Sequence, residues 1–345
     1  MDINELTKTA QAMVAPGKGI LAADESTGTI KRRFDAIGAE STAENRRDYR
    51  ELLFRTPGTA EFISGVILYD ETIRQEAADG IPLVQVLTSQ GIIPGIKVDT
   101  GAKPLASANG ETVTEGLDGL RERLAEYREL GARFTKWRGV ITIGAGIPSA
   151  YCIETNAHAL ARYAALSQEA GLVPIVEPEV LMDGGHSIDR CAEVTEITLR
   201  EVFQQLARQH VALEGIILKP NMVLSGTAAP HRGAASEVAE RTIACFQGTV
   251  PAAVPGIAFL SGGQSDEEAT ANLNALSKRA AAIHAPWQIT FSYGRGLQGA
   301  PQKAWAGKSE NVKKAQQAFY HRAKVTAAAR QGRYTPEMEK EANEV

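Results

Sequence analysis

Cysteine is scarce in this chain: Cys152, Cys191 and Cys245 are the only three among 345 residues. They are widely spaced and form no C-x-x-C, which argues against a disulfide framework or a zinc site and suits free thiols in a reducing cytosol. The six histidines are scattered and make no H-E-x-x-H or similar pair, so a metal lacks support and no cofactor is expected. No window approaches the roughly 18 uninterrupted apolar residues of a membrane span. The first ten residues, which include Asp2 and Glu5, lack the apolar core of a secretory signal. Neither charge sign dominates: 37 Lys and Arg stand against 41 Asp and Glu, a net −4 that provides no basic field for nucleic acid. These absences point to a cytoplasmic protein that binds neither nucleic acid nor membranes.

What is present is ordinary for a soluble globular protein, with 43% apolar and 23% charged residues. Short β-branched or apolar runs recur along the chain, and we read strands over 19–24, 62–69, 92–98, 134–140, 173–179, 215–219, 256–261 and 288–293. Amphipathic stretches long enough for helices lie between them, such as 155–170, 189–210 and 266–283. Asp189 and Asp266 look like helix caps, and Glu267 and Glu268 after Asp266 favour a helix N-terminus. Alternating strands and helices imply a parallel sheet with crossover connections. About eight such units without a composition break predict an α/β fold, a single-domain (β/α)8 barrel over 1–345; an open doubly wound sheet is the alternative. Residues 1–18 form a candidate leading helix and 299–331 read as helical. The polar stretch 332–345, which contains Pro336, is expected to be a mobile tail.

Most of these strands run into a reactive residue: Asp24, Lys97, Lys136, Glu177, Lys219 and Ser261 each close an apolar run. In a (β/α)8 barrel the strand ends and following loops build the active site. A single rim charge would mean only a local ion pair, but six residues in register describe a pocket. Strand side chains alternate with period two, so Lys136 and Arg138 share a face, as do Glu177 and Glu179. Opposed charges gathered in such a mouth shift one another's pKa values.

Two glycine-containing loops follow the seventh and eighth strands, Ser261-Gly262-Gly263-Gln264-Ser265 and Tyr293-Gly294-Arg295-Gly296. Barrels often bind phosphate there, on backbone amides that glycine leaves uncovered, and an arginine adds a bidentate contact. Gly307-Lys308-Ser309 resembles the end of a P-loop but lacks its leading glycine, since Gln302 stands there, and we reject a nucleotide site. Lys219 follows Gly215-Ile216-Ile217-Leu218 and precedes Pro220. Such burial, with neighbouring cations, favours a neutral amine that is nucleophilic toward carbonyls; the alternative is a lysine that snorkels to the rim. A neutral amine, carboxylates and phosphate loops suit carbon–carbon cleavage of a phosphorylated ketose through an iminium.

At this point the motifs become specific. The run from Gly17-Lys18-Gly19-Ile20-Leu21-Ala22-Ala23-Asp24-Glu25-Ser26 to Thr27-Gly28-Thr29-Ile30 closely resembles the N-terminal signature of class I fructose-bisphosphate aldolases. Gly95-Ile96-Lys97-Val98-Asp99, Lys136-Trp137-Arg138, Val176-Glu177-Pro178-Glu179 and Leu218-Lys219-Pro220-Asn221-Met222 resemble later motifs of that family. So do Phe259-Leu260-Ser261-Gly262-Gly263-Gln264-Ser265 and Phe291-Ser292-Tyr293-Gly294-Arg295, and the matches run in order over about 15–335. The resemblance implies reversible cleavage of fructose 1,6-bisphosphate to dihydroxyacetone phosphate and glyceraldehyde 3-phosphate. It makes Lys219 the Schiff-base lysine and Glu177 the acid/base. Asp24 would assist proton transfer and hold Lys136, and Lys136 and Glu179 would tune the lysine's surroundings.

The same resemblance places Ser261, Gly262, Gly294 and Arg295 on the C1 phosphate, with Gly263, Ser292 and Arg138 among the substrate-binding residues. Ser26, Thr29 and Lys97 would bind the C6 phosphate, with Arg33 nearby. Thr29 stands where animal members usually carry serine, which keeps the hydroxyl. Many members end in a tyrosine that exchanges a proton with the enamine. Here the last residue is Val345 and Tyr334 matches an earlier family position, so that step is carried by another group, such as Glu179 or water, or is slower. The family is commonly tetrameric, which implies a homo-oligomer. Another Schiff-base sugar-phosphate aldolase of the transaldolase kind, or a barrel scaffold without catalysis, are the competing readings.

Overall fold

The computed structural model describes residues 2–340. Its strands are β1 (Gly19–Ala22), β2 (Ile63–Leu68), β3 (Ile93–Lys97), β4 (Gly101–Pro104), β5 (Thr112–Glu115), β6 (Phe134–Ile141), β7 (Val173–Val180), β8 (Ile217–Leu218), β9 (Gly256–Phe259) and β10 (Gln288–Tyr293). Eight of them close into a parallel barrel in the order β1-β10-β9-β8-β7-β6-β3-β2. Each of the eight expected strands is one of these, and β1 pairs with both β2 and β10, which removes the open-sheet alternative. The element that the sequence did not reveal is β4–β5, an antiparallel hairpin outside the barrel. It hangs on Asp99, whose carboxylate accepts the amides of Gly101 at 3.1 Å and Arg138 at 3.3 Å.

Alternation along the strands separates two apolar layers. Ile20, Ala22, Ile67, Phe134, Val173, Ile175, Ile217 and Ala258 fill the lumen, and Leu6, Ala10 and Met13 of the leading helix Ile3–Met13 plug its lower end. The intervening residues, among them Leu21, Val66, Trp137, Val176, Leu218 and Phe259, pack under the surrounding helices. Gly95 is required by this floor. A Cβ there would stand 2.2 Å from the Phe134 ring, so only glycine leaves room for the ring to cross the lumen. Truncating Phe134 to alanine would cost about 3–5 kcal/mol, the usual range for a fully buried aromatic.

One reading of the helices is corrected. The caps are Ser187 and Ser265, not Asp189 and Asp266. A serine hydroxyl reaches the N3 amide, and Ser265 forms a full capping box with Glu268; the aspartates fall in the first turn, where the helix dipole favours them. The stretch 299–331 is helical as expected, made of the end of Arg295–Trp305 and all of Val312–Arg330, which separate at Ala306 and Gly307, both left-handed. In the expected tail, Tyr334 is buried and Arg322 holds Glu339 at 2.5 Å. Residues 341–345 of that tail lie outside the described residues.

Candidate active site

Parity now decides what points into the mouth. Continuing the lumen-facing register upward from Ala22, Phe134, Ile175 and Ile217 leads to Asp24, to Lys136 and Arg138, to Glu177 and Glu179, and to Lys219. The structure joins them. Lys219 Nζ lies 3.2 Å from Glu177 Oε1, and the other oxygen of that carboxylate lies 2.9 Å from Lys136 Nζ. Lys136 also donates to Asp24 at 3.0 Å, and Arg138 pairs with Glu179. Lys136, Glu177 and Lys219 are each 5% exposed or less, so these charges interact where water screens them poorly.

Burial acting alone would raise the Asp24 carboxyl. Attraction to Lys136, then to Lys219 and Lys97, outweighs it and holds the group at about 2. Glu177 behaves alike: burial raises it, but Lys136, Lys219 and Arg138 bring the net shift below the ordinary carboxylate value. Burial lowers Lys136, yet Asp24, Glu177 and Asp99 move it upward overall. Near neutral pH the carboxylate beside Lys219 is therefore ionised and the ammonium behind it is fixed. Glu177 is an acceptor first and becomes an acid only after taking up a proton.

One flank of the mouth is a glycine turn with open amides. No acceptor among the described residues takes the amides of Ser261, Gly262, Gly263 or Gln264, nor those of Gly294 and Arg295. Gly263 sits at φ +73°, and a Cβ on it would come within 2.4 Å of the Met182 side chain. A Cβ on Gly262 would stand 3.1 Å from Glu179 Oε1, which places the turn beside the charged cluster. Arg295 folds onto the carbonyls of Gln264 and Ser261 and lies 3.3 Å from Asp266. The Ser292 hydroxyl is buried without a hydrogen-bond partner among the described residues, an unspent polar group at the end of β10.

The other flank is the start of the helix Thr27–Asp35. Ser26 is its N-cap but bonds no helix amide; its hydroxyl donates to Thr29 at 3.2 Å, which leaves the positive end of the helix open. Lys97 reaches the Asp99 carboxylate at 2.9 Å. Arg33 follows Thr29 by one helical turn. It pairs with Glu25, its guanidinium lies beside Gly294 on the opposite flank, and the neighbouring Arg32 donates to Thr29 at 3.2 Å instead.

Other positioning residues carried no visible signal beyond being polar near a motif. Gln298 donates to Glu25 and to the Ala22 carbonyl, both at 2.7 Å, and buried Arg50 donates to the Glu25 carbonyl at 2.8 Å. Asn221 accepts the Val180 amide at 3.0 Å and donates to Thr195, so it ties the ends of β7 and β8 together. Those ends carry Glu177 and Lys219.

Barrel, buried lysine, carboxylates and paired open-amide flanks together describe a (β/α)8-barrel enzyme of the sugar-phosphate aldolase class. A family model of the class-I, glycolytic fructose-bisphosphate aldolases matches residues 5–345, and the chain belongs to that family. It is 58% identical over 335 residues to a probable fructose-bisphosphate aldolase class 1 of Xanthomonas axonopodis pv. citri, covering 97% of this chain and 99% of that one. It is 56% identical to the Arabidopsis thaliana fructose-bisphosphate aldolase 5, cytosolic, covering 96% and 92%. A solved Plasmodium falciparum fructose-bisphosphate aldolase, crystallised with TRAP and a small-molecule inhibitor, superposes with a TM-score of 0.94 at 50% identity over 96% of each chain.

Proposed function

We propose that this protein catalyses reversible cleavage of fructose 1,6-bisphosphate to dihydroxyacetone phosphate and glyceraldehyde 3-phosphate through a Schiff base on Lys219. The observation that carries the reading is the buried contact of Lys219 Nζ with the ionised Glu177 carboxylate, 3.2 Å away, between two anion flanks. In this scheme Glu177 takes the proton that Lys219 must lose before its lone pair attacks C2 of the open-chain ketose. The carbinolamine then loses water, with Glu177 returning the proton to the departing hydroxyl. The iminium draws the electron pair of the C3–C4 bond to itself while Glu177 accepts the proton of the C4 hydroxyl, and the aldehyde leaves. The remaining enamine is protonated at C3 and hydrolysed, which releases the ketone and frees the amine.

Asp24 and Lys136 hold the Glu177 carboxylate ionised and oriented, and Glu179 and Arg138 close the same cluster. The cradle of Ser261, Gly262, Gly263, Gly294 and Arg295, with Ser292, takes the C1 phosphate; Ser26, Thr29 and Lys97 take the C6 phosphate. Arg33, beside Gly294, belongs to the C1 side in this reading, and Arg32 joins the C6 side. The test is borohydride reduction in the presence of dihydroxyacetone phosphate, followed by peptide mapping. A stable adduct on Lys219 is expected, and an adduct elsewhere, or none, overturns the assignment.

We also infer a homo-oligomer, commonly a tetramer in the family, acting in the cytosol. Support comes from plant relatives named as cytosolic, and no helix of the described residues is long and apolar enough to cross a membrane. Light scattering giving the mass of one 36.9 kDa chain would exclude the oligomer.

A further inference from the structure

An anion cradle made of backbone amides works only if its peptide planes are held in the right orientation, because a glycine-rich turn has little stiffness of its own. In a trans peptide the carbonyl and the following N–H point in opposite directions, so pinning one fixes the other. In the turn after β9, Arg295 pins the Ser261 and Gln264 carbonyls from inside the site. The Gly263 carbonyl is held by a residue outside it. Arg232, on the loop after β8, donates from Nη2 to Gly263 O at 2.9 Å.

The same guanidinium reaches two more partners. Its Nη1 lies 3.4 Å from the Ser225 carbonyl, and its Nη2 and Nε donate to Glu268 Oε1 at 2.7 and 3.2 Å. The second oxygen of Glu268 accepts the Ser265 amide at 3.3 Å within the capping box that starts the helix Asp266–Ala282. A chain of contacts thus runs from the helix cap through Glu268 and Arg232 to the carbonyl of Gly263. Outward capture of that carbonyl turns the Gln264 N–H the other way, and this amide has no acceptor among the described residues.

We infer that Arg232 is a positioning residue of the C1-phosphate cradle, one that sets the Gly263–Gln264 peptide and touches no substrate; this rests on the function proposed above. The Arg232–Glu268 pair is about one-third exposed, with side-chain accessibilities of 29% and 33%, so its direct contribution to stability is small. Its effect belongs in anion binding. Lysine cannot replace it, since a single ammonium lacks the planar fork that spans two carbonyls and a carboxylate.

The test compares Arg232→Met and Arg232→Lys. Inorganic phosphate is titrated calorimetrically into each in a Lys97→Met background, which weakens the opposite flank, and steady-state cleavage of fructose 1,6-bisphosphate is measured in the otherwise native chain. We expect phosphate to bind about tenfold more weakly, KM to rise by a similar factor and kcat to stay within about twofold, as for the loss of one oriented hydrogen bond. Arg232→Lys should resemble Arg232→Met. Folded variants with unchanged phosphate affinity and KM overturn the inference, as does a kcat loss at constant KM. If Arg232→Met fails to fold, Arg232→Lys carries the same comparison. Should the native chain fail to cleave the sugar while phosphate binding still weakens in the variants, the cradle assignment stands and the catalytic reading falls.

Discussion

Lys136 is the residue whose removal tests the electrostatic argument most directly. It lies 3.0 Å from Asp24 and 2.9 Å from Glu177, and it is the leading attraction that lowers both. Asp24 sits at about 2 against an ordinary 3.8, a gap of just under two pH units. At about 1.4 kcal/mol per unit this is roughly 2.5 kcal/mol for one carboxylate. In Lys136→Met the burial of both carboxylates is left opposed mainly by Lys219, so both should rise and the cluster should take up a proton. Breaking a buried pair from one side costs about 3–5 kcal/mol. Scaled to a chain of this length, that is a fall in melting temperature of about 4–7 °C at pH 7. The deficit should shrink at pH 4.5, where the freed carboxyls are protonated and need no partner. Cleavage should fall by about 10²–10⁴, the usual range for loss of positioned acid–base chemistry, with its acid limb moved to higher pH. Calorimetry at the two pH values and a pH–rate profile read both effects. A variant that melts with the native protein at pH 7 and keeps its rate within tenfold would refute the reasoning.

Lys219→Met should leave no borohydride-trapped adduct and should lower cleavage at least about 10⁴-fold, because no other amine among the described residues stands beside Glu177 on that side. Its melting point should change little, since Lys136 still neutralises Glu177; a trapped adduct in this variant would disprove the assignment. Gly263→Ala places a Cβ 2.4 Å from Met182 on a backbone at φ +73°. We expect a cost of about 1–3 kcal/mol in thermal stability together with a raised KM, and an unchanged KM would dissociate the turn from phosphate binding. Asp24 has a depressed folded-state value, so its contribution is complete above the ordinary 3.8 and disappears as the pH falls through about 2. Asp24→Asn should therefore flatten the acid end of the stability–pH curve in that window, and an unaltered slope would contradict it.

The barrel was legible because its signals are local and repeated. Each of β1, β3 and β8 is a short apolar run ending at or just before a charge, β6 and β7 carry their charges within the strand, and alternation carried Lys136 with Arg138 and Glu177 with Glu179 to the same face. The β4–β5 hairpin was not legible: its residues 101–104 and 112–115 include Lys103, Pro104 and Glu115, and pairing across a turn leaves no apolar run to detect. The caps went to serine where aspartate had been expected because both residue types favour helix starts, and only the position of the N3 amide separates them. The contact of Arg32 with Thr29 was not legible because adjacent helix positions point about 100° apart, a difference invisible until the helix axis is placed. Arg232, Gln298 and Arg50 act across 31, 276 and 25 residues, and no spacing rule relates such partners.

The charge count of the mouth carries a last consequence. Asp24, Glu177 and Glu179 face Lys136, Arg138 and Lys219 in close pairs, so the cluster around Lys219 is nearly neutral as a whole. A neutral cluster cannot by itself draw in a doubly phosphorylated sugar. That attraction has to come from the flanks, where amides without acceptors, an uncapped helix start, Arg32, Arg33 and Arg295 are only partly offset by Glu25 and Asp266. The two tasks are therefore separable. Salt should weaken substrate capture at the exposed flanks far more than it alters the chemical step, because screening reaches exposed charges and scarcely penetrates a buried cluster. KM that climbs with ionic strength while kcat holds is the pattern this division demands, and a kcat that falls in step with KM would mean that the cluster is open to solvent.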